Sequence, residues 1–153
     1  PEVLESFFKY VDSKLRSTDN PIPISVNLFG MVTTNTDDLG IGQVLEKAAP
    51  YFDFIDPMVY PSHFPDTWHG YANPADNPYD VIKITMDTAV ERLETAGEDP
   101  MKIRPWLQDF NLGAVYTAEM VRAQIQATYD SGLDSWLIWD PKNIYTKKAL
   151  LPN

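Results

Sequence analysis

The chain has 153 residues, is 44% hydrophobic and 12% aromatic, carries a formal net charge of -10 and contains no cysteine. That composition supports one packed domain, but a complete (β/α)₈ barrel needs about 200 residues or more. The acidic balance argues against nucleic acid as a partner, the missing cysteines rule out disulfides and thiolate zinc sites, and no apolar run approaches the roughly 20 residues that cross a membrane. The compartment stays open, with an extracytoplasmic or secreted one favoured. Pro1 opens directly into a helical pattern, so any targeting segment is expected upstream.

Leu4, Phe7, Phe8, Val11 and Leu15 recur at helical spacing and predict an amphipathic helix over about 2–17. Pro21 and Pro23 bar its continuation. A first strand follows at 24–30, then a polar loop from Gly30 to Gly40. A short helix with Ile41, Val44, Leu45 and Ala48 on one face should end at Pro50. The second strand is predicted at about 53–60. Residues 61–78 form the longest irregular stretch and hold both histidines, and loops of that length are usually functional. Asn77 and Pro78 then start a helix that buries Ile82, Met86, Ala89, Leu93 and Ala96 and stops at Gly97. The third strand covers about 102–108. Thr117 caps the next helix, with Ala118, Val121, Ile125 and Tyr129 on one face and Gly132 at its end. The fourth strand lies at about 134–140, and the tail from Lys142 has no assigned element.

Four strand–helix units with polar and aromatic strand ends are the layout of a (β/α) barrel rim. The expected fold is α/β: a parallel half-barrel, with consecutive strands as neighbours through right-handed crossovers. Ile24, Val26, Leu28, Ile55, Pro57, Val59, Ile103, Pro105, Leu107, Trp136 and Ile138 form the outward, helix-facing parity. The opposite parity is polar, aromatic and bulky: Ser25, Asn27 and Phe29, Asp56, Met58 and Tyr60, Arg104, Trp106 and Gln108, Ser135, Leu137 and Trp139. A wet ligand site explains that face better than a dry packed layer.

The segments Asp56-Pro57-Met58-Val59-Tyr60-Pro61-Ser62-His63 and Ile103-Arg104-Pro105-Trp106-Leu107-Gln108-Asp109-Phe110 resemble the signatures of a family of predicted glycosyl hydrolases. Gly40-Ile41-Gly42-Gln43, Asn73-Pro74 to Pro78-Tyr79 and Arg122-Ala123-Gln124-Ile125 are similar to it as well. The resemblance spans nearly the whole chain. It implies a TIM barrel of the α-amylase and α-galactosidase type, of which this chain is the C-terminal four units. The first four strands, and an acidic residue ending the fourth, would then lie outside it.

Glycoside hydrolysis usually needs two carboxyl groups flanking the bond. Asp109 and Asp140 follow strands, and Asp66 lies in the long loop. Asp109 is the expected acid/base, since it follows a strand filled with Trp106 and Gln108 and such surroundings raise a carboxyl pKa. The competing reading is a turn aspartate that satisfies backbone amides. Tyr60, His63, Trp106, Gln108 and Trp139 read as sugar contacts by stacking and hydrogen bonding, with core packing as the alternative for Trp106. Asn27 serves either as an inward hydrogen-bonding group or as part of a closed polar layer. The His63, Asp66 and His69 spacing is no recognised metal motif, and neither metal nor cofactor is expected. Arg104 should pair with Asp56, and Glu91, Arg92 and Glu94 should form a solvated face. The expected function is part of a glycoside hydrolase acting on oligo- or polysaccharide, inactive as an isolated piece. The expected partners are a carbohydrate and either the missing half-barrel or a second copy. A non-catalytic carbohydrate-binding barrel and a self-associating interaction module are the alternatives.

Overall fold

The computed structural model describes residues 1–19 and 21–150. Four strands, β1 (Ser25–Phe29), β2 (Phe54–Met58), β3 (Trp106–Gln108) and β4 (Leu137–Trp139), form one sheet in the order β1-β2-β3-β4. Every neighbouring pair is parallel. Two long helices, α3 (Pro78–Ala96) and α4 (Ala118–Asp130), connect β2 to β3 and β3 to β4. The remaining helices are α1 (Glu2–Leu15), the single turns α2 (Leu45–Ala48) and α5 (Lys147–Leu150), and six short 3₁₀ turns. The last three residues of the tail and Asn20 lie outside the described residues. No described helix is long and apolar enough to cross a membrane.

The core lies between the outward sheet face and the helices. Leu28, Ile55, Val59, Ile103 and Leu107 pack with Ile82, Met86, Ala89 and Leu93 of α3 and Ile125 of α4. Trp136 and Ile138, on the last strand, are only partly buried against it. The inward face is open: Ser25, Asn27, Phe29 and Trp139 are solvent-exposed. Only its lower part closes over. Asp56 is buried there, and both its oxygens accept from Arg104 at 3.1 Å. The guanidinium lies over the Phe54 ring at 4.4 Å.

The third strand is shorter than its sequence pattern. Ile103 bridges to Ile55, and Arg104 N–H donates to Ile55 O at 2.8 Å. Pro105 then has no N–H to give, and the regular ladder resumes only at Trp106. Several boundaries move for similar local reasons. Leu39, Gly40 and Gly42 take positive φ, so the expected helix from Ile41 starts only at Leu45 and leaves Ile41 exposed. The α-helical turn stops at Ala48 just before Pro50, which sits inside a following 3₁₀ turn, Ala49–Tyr51. Asn77 precedes α3 without a side-chain cap, because its amide donates to Asn73 O instead. On α1 only Phe8 of the apolar stripe is buried, while Phe7 and Leu15 face solvent. On α4 Tyr129 is likewise exposed and accepts from the Trp136 indole at 2.9 Å.

Arg92 departs furthest from its expected solvated face. Its guanidinium takes both Glu46 oxygens at 2.7 Å and also donates to the carbonyls of Val32, Thr33 and Asn35. It thereby fastens the Gly30–Thr33 turn after β1 to α3. Burial opposes the Glu46 charge most strongly, but the Arg92 hydrogen bonds, the residue's own backbone amide and the Arg92 charge together hold the carboxyl below its ordinary value. Glu91 and Glu94 do face solvent.

Candidate functional site

The C-terminal ends of the strands carry three neighbouring groups of side chains. The first lies on the open inward face. Asn27 of β1 accepts from the Trp106 indole N–H of β3 at 2.8 Å, passing over β2. Trp106 meets Trp139 of β4 edge-on, with centroids 6.0 Å apart at 86°. Trp139 is 41% exposed. Side chains from alternate strands thus share one layer, as in a barrel interior.

The second group follows β2. Tyr60 is buried and meets His63 and Phe110 edge-on at 5.1 and 5.5 Å. Burial pushes the Tyr60 phenol up to about 12, while His63 keeps an exposed edge and its imidazole is only shifted downward by partial desolvation against Tyr60 and Phe110. His63 ends the Pro61–His63 turn and lines an apolar cleft of about 510 Å³ with Phe29, Met58 and Phe64. Gly30 forms part of the same wall because the backbones of β1 and β2 close tightly there. A Cβ on Gly30 would stand 2.4 Å from the Met58 carbonyl oxygen.

The third group follows β3 and β4. Asp109 is 4% exposed, and its Oδ2 accepts from Thr146 N–H at 2.6 Å. Its Oδ1 is buried without a hydrogen-bond partner. The side chain lines a cavity of about 350 Å³ with Phe110, Asn111, Tyr116, Asp140, Lys142, Ile144 and Thr146. Strand alternation alone points Asp109 outward. The tail wraps over the strand end and gives the carboxylate an amide there instead. Asp140 makes that wrap: its Oδ1 accepts from Lys142 N–H at 2.6 Å and Ile144 N–H at 3.3 Å. Asp66, the other loop carboxylate, is exposed and lines neither cavity.

Gln108 stands between the groups and is fully buried. Its Oε1 accepts from Ser62 N–H and Oγ–H, and its Nε2 donates to the carbonyls of Phe110 and Leu112. All of this amide's bonds go to the two loops that frame the site, so it positions them. Its own backbone is held from the other side. Gln124 of α4 accepts from Gln108 N–H at 2.9 Å and donates to Gln108 O at 2.8 Å. The long loop is pinned as well: Asn73 donates to Gly113 O and Asp76 and accepts from Ala75 N–H.

The structure therefore brings Asn27, Trp106 and Trp139 together, sets Tyr60 with His63, and places Asp109 in a separate cavity. Phe110 joins the last two, since it touches the Tyr60 ring and lines the Asp109 cavity. Tyr116 and Thr146 escaped the sequence reading. Tyr116 immediately precedes a helix cap in a loop without periodicity, and Thr146 acts through its backbone. The arrangement offers aromatic faces, hydrogen-bonding groups and two buried carboxylates, Asp109 and Asp140, around a strand-end cleft, which is suited to gripping a polyhydroxylated ring. A comparison with curated proteins finds no match. Residues 1–145 match the model of the family described as "Putative glycosyl hydrolase domain", and the chain belongs to that family.

Proposed function

We propose that the chain forms the C-terminal half of a TIM-barrel glycoside hydrolase that acts on oligo- or polysaccharide, with Asp109 as its acid/base carboxyl. The observation that carries this reading is Asp109 itself. It is a buried carboxylate at a parallel-strand end whose residue lines a cavity, with one oxygen held by Thr146 N–H and the other enclosed without a hydrogen-bond partner. Aromatic groups at the neighbouring strand ends, Trp106 with Trp139 and Tyr60 with His63, support a sugar-sized cleft alongside. The half-barrel reading is supported by the open inward face and by the layer that Asn27 and Trp106 share across β2.

Asp109 supplies one carboxyl, and the second comes from the strands of the other half. Residues 1–153 alone are then expected to turn over no aryl glycoside, since displaced catalytic groups cost orders of magnitude. The test is a parent polypeptide carrying all eight strands, assayed as wild type and as Asp109→Asn. Loss of about 10²–10⁴-fold in kcat is expected for removal of a general acid/base. Retention of activity within a few fold would remove Asp109 from the chemistry, and brisk turnover by residues 1–153 would end the half-barrel reading.

A further inference from the structure

The Gly40-Ile41-Gly42-Gln43 segment has no part in the Asp109 chemistry, yet the chain builds it under strain. Leu39, just before it, sits at φ 53°, in the left-handed region that side chains disfavour. Two aspartates hold the turn. Asp37 Oδ1 accepts from Leu39 N–H at 3.2 Å, and Asp38 Oδ1 accepts from Gly40 N–H at 3.1 Å. The turn so held lends Leu39 and the exposed Ile41 to the wall of the 510 Å³ cleft. Strain of this kind persists where the surroundings enforce it, and it gathers at ligand clamps.

The wall selects by charge. No carboxylate, ammonium or guanidinium lines the cleft, although the chain carries a net charge of -10, and His63 is its only polar side chain. A charged ligand would leave water and meet no counter-charge there. A bare sugar would leave most of its hydroxyls unmatched. Met31, Met58, Phe29 and Phe64 instead offer thioethers and ring faces, which attract an aromatic ring beyond the area it buries. A further strand is a poorer occupant. Phe29 N–H, at the end of the edge strand β1, is already taken by Gln43 Oε1 at 2.8 Å. The cleft is also continuous with the open face. Phe29, Met58 and Trp106 are register partners on three consecutive strands, and strands lie about 4.8 Å apart. A substituent on a ring held by Trp106 and Trp139 therefore reaches it.

We propose that this cleft binds the uncharged aromatic group of an aryl-substituted saccharide whose sugar lies on the Trp106 and Trp139 side. The sugar half rests on the carbohydrate reading above; the aromatic half rests on the cleft alone.

The test follows the methionine methyls of the full chain by carbon-edited NMR at low salt, where the net charge opposes self-association. Met31 and Met58 line the cleft, and Met86, Met101 and Met120 lie elsewhere and serve as controls. Benzyl alcohol should shift both cleft methyls through its ring current and leave the controls in place. Cyclohexylmethanol should bind about 3-fold more weakly, for want of ring contacts. Benzoate and benzylammonium should bind about 10-fold more weakly or worse. Ile41→Ser, which trims an exposed wall residue, should weaken benzyl alcohol several-fold with the control methyls unmoved, which shows that the fold is intact. At least one of phenyl glucoside, phenyl galactoside and phenyl mannoside should bind more tightly than benzyl alcohol and also move the Trp106 and Trp139 indole signals. Unshifted cleft methyls, equal binding of cyclohexylmethanol or of the charged analogues, or an Ile41→Ser chain that binds as wild type would each overturn the proposal. Cleft methyls that shift on concentrating the chain without ligand would also overturn it, by making a second copy the occupant. The readings fail separately. Aromatic binding to which none of the three sugars adds removes the saccharide and leaves the Asp109 assay undecided by it. An Asp109→Asn parent enzyme that stays active removes the catalytic role and leaves the cleft standing.

Discussion

A guanidinium that meets three backbone carbonyls and a carboxylate has no substitute among the natural side chains, and Arg92 is in that position. Arg92→Met would keep the volume and strand the carbonyls of the turn after β1 together with Glu46. A loss of about 2–4 kcal/mol is expected, because removing one partner of a largely buried pair leaves the other uncompensated. Urea unfolding followed by circular dichroism measures it, and a change below 0.5 kcal/mol, about the scatter of ordinary surface substitutions, would mean that the guanidinium is dispensable. The same pair predicts a pH dependence. The Glu46 carboxyl is held below its ordinary value in the folded state. Its contribution is thus fully present above that value and fades as pH falls through the lower folded one. Wild type and Glu46→Gln should differ in urea midpoint at pH 7 and converge on acidification below about pH 4. A gap that stays constant through that range would contradict the assignment. No periodicity reveals Arg92, because it lies between Glu91 and Leu93 on a helix whose charged neighbours do face water. Its partners are about 46 to 60 residues away, a separation on which local pattern is silent.

At the level of elements, the sheet and its two long helices were legible because their signals are local. Alternating apolar runs marked the strands, and Pro78, Gly97 and Thr117 marked helix ends that the structure keeps. The α1 stripe was just as periodic, yet only Phe8 of it is buried and Phe7 and Leu15 are exposed, since amphipathicity says that a face seeks a partner and not that one is present. The environment of Asp109 was not legible in the sequence, because the cavity wall is made by the tail folding back through Asp140. The clasp between α4 and β3 offers the sharpest test at this scale. Gln124 supplies a side-chain acceptor and donor where β3 runs beyond its pairing with β2, which ends at Met58–Trp106. Gln124→Leu should leave Gln108 N–H and C=O unmatched and cost about 2–4 kcal/mol. Amide exchange at Gln108 should accelerate more than at Leu107. Equal acceleration of both would indicate general loosening and not a broken clasp. Gly30→Ala acts at the opposite end of the site. A methyl forced against the Met58 carbonyl must push β1 and β2 apart, so a loss of a few kcal/mol and an altered Phe29–His63 cleft are expected.

For the whole molecule, the open sheet is the governing fact. β1 and β4 each have a neighbour on one side only, and the face between them exposes Phe29 and Trp139. Exposed sheet edges are templates for further pairing. Each Å² of apolar surface left in water forgoes about 25 cal/mol, and large uncovered patches are rare on monomers. We therefore expect the isolated chain to self-associate, most simply as a two-fold dimer that covers both inward faces. The net charge of -10 opposes this at low salt, while screening within about 8–10 Å at physiological salt relieves it. Sedimentation velocity at micromolar concentration and several salt levels decides: association should strengthen with salt, and a monomer at every level that binds no hydrophobic dye would refute it.

The contact between Asn27 and Trp106 also makes the protein its own optical gauge. Of the four indoles, Trp106 and Trp139 stand together on the open face, whereas Trp136 packs toward the core and Trp68 lies tilted against Phe64 in the long loop. Whatever covers that face, whether a sugar, a second copy or another four strands, dries these two first. Their emission should move to shorter wavelength as the face is covered. Asn27→Leu, which releases the Trp106 N–H, should change that emission without any ligand. Replacing Trp68 and Trp136 by Phe would leave a fluorescence signal that reads the state of the inward face alone.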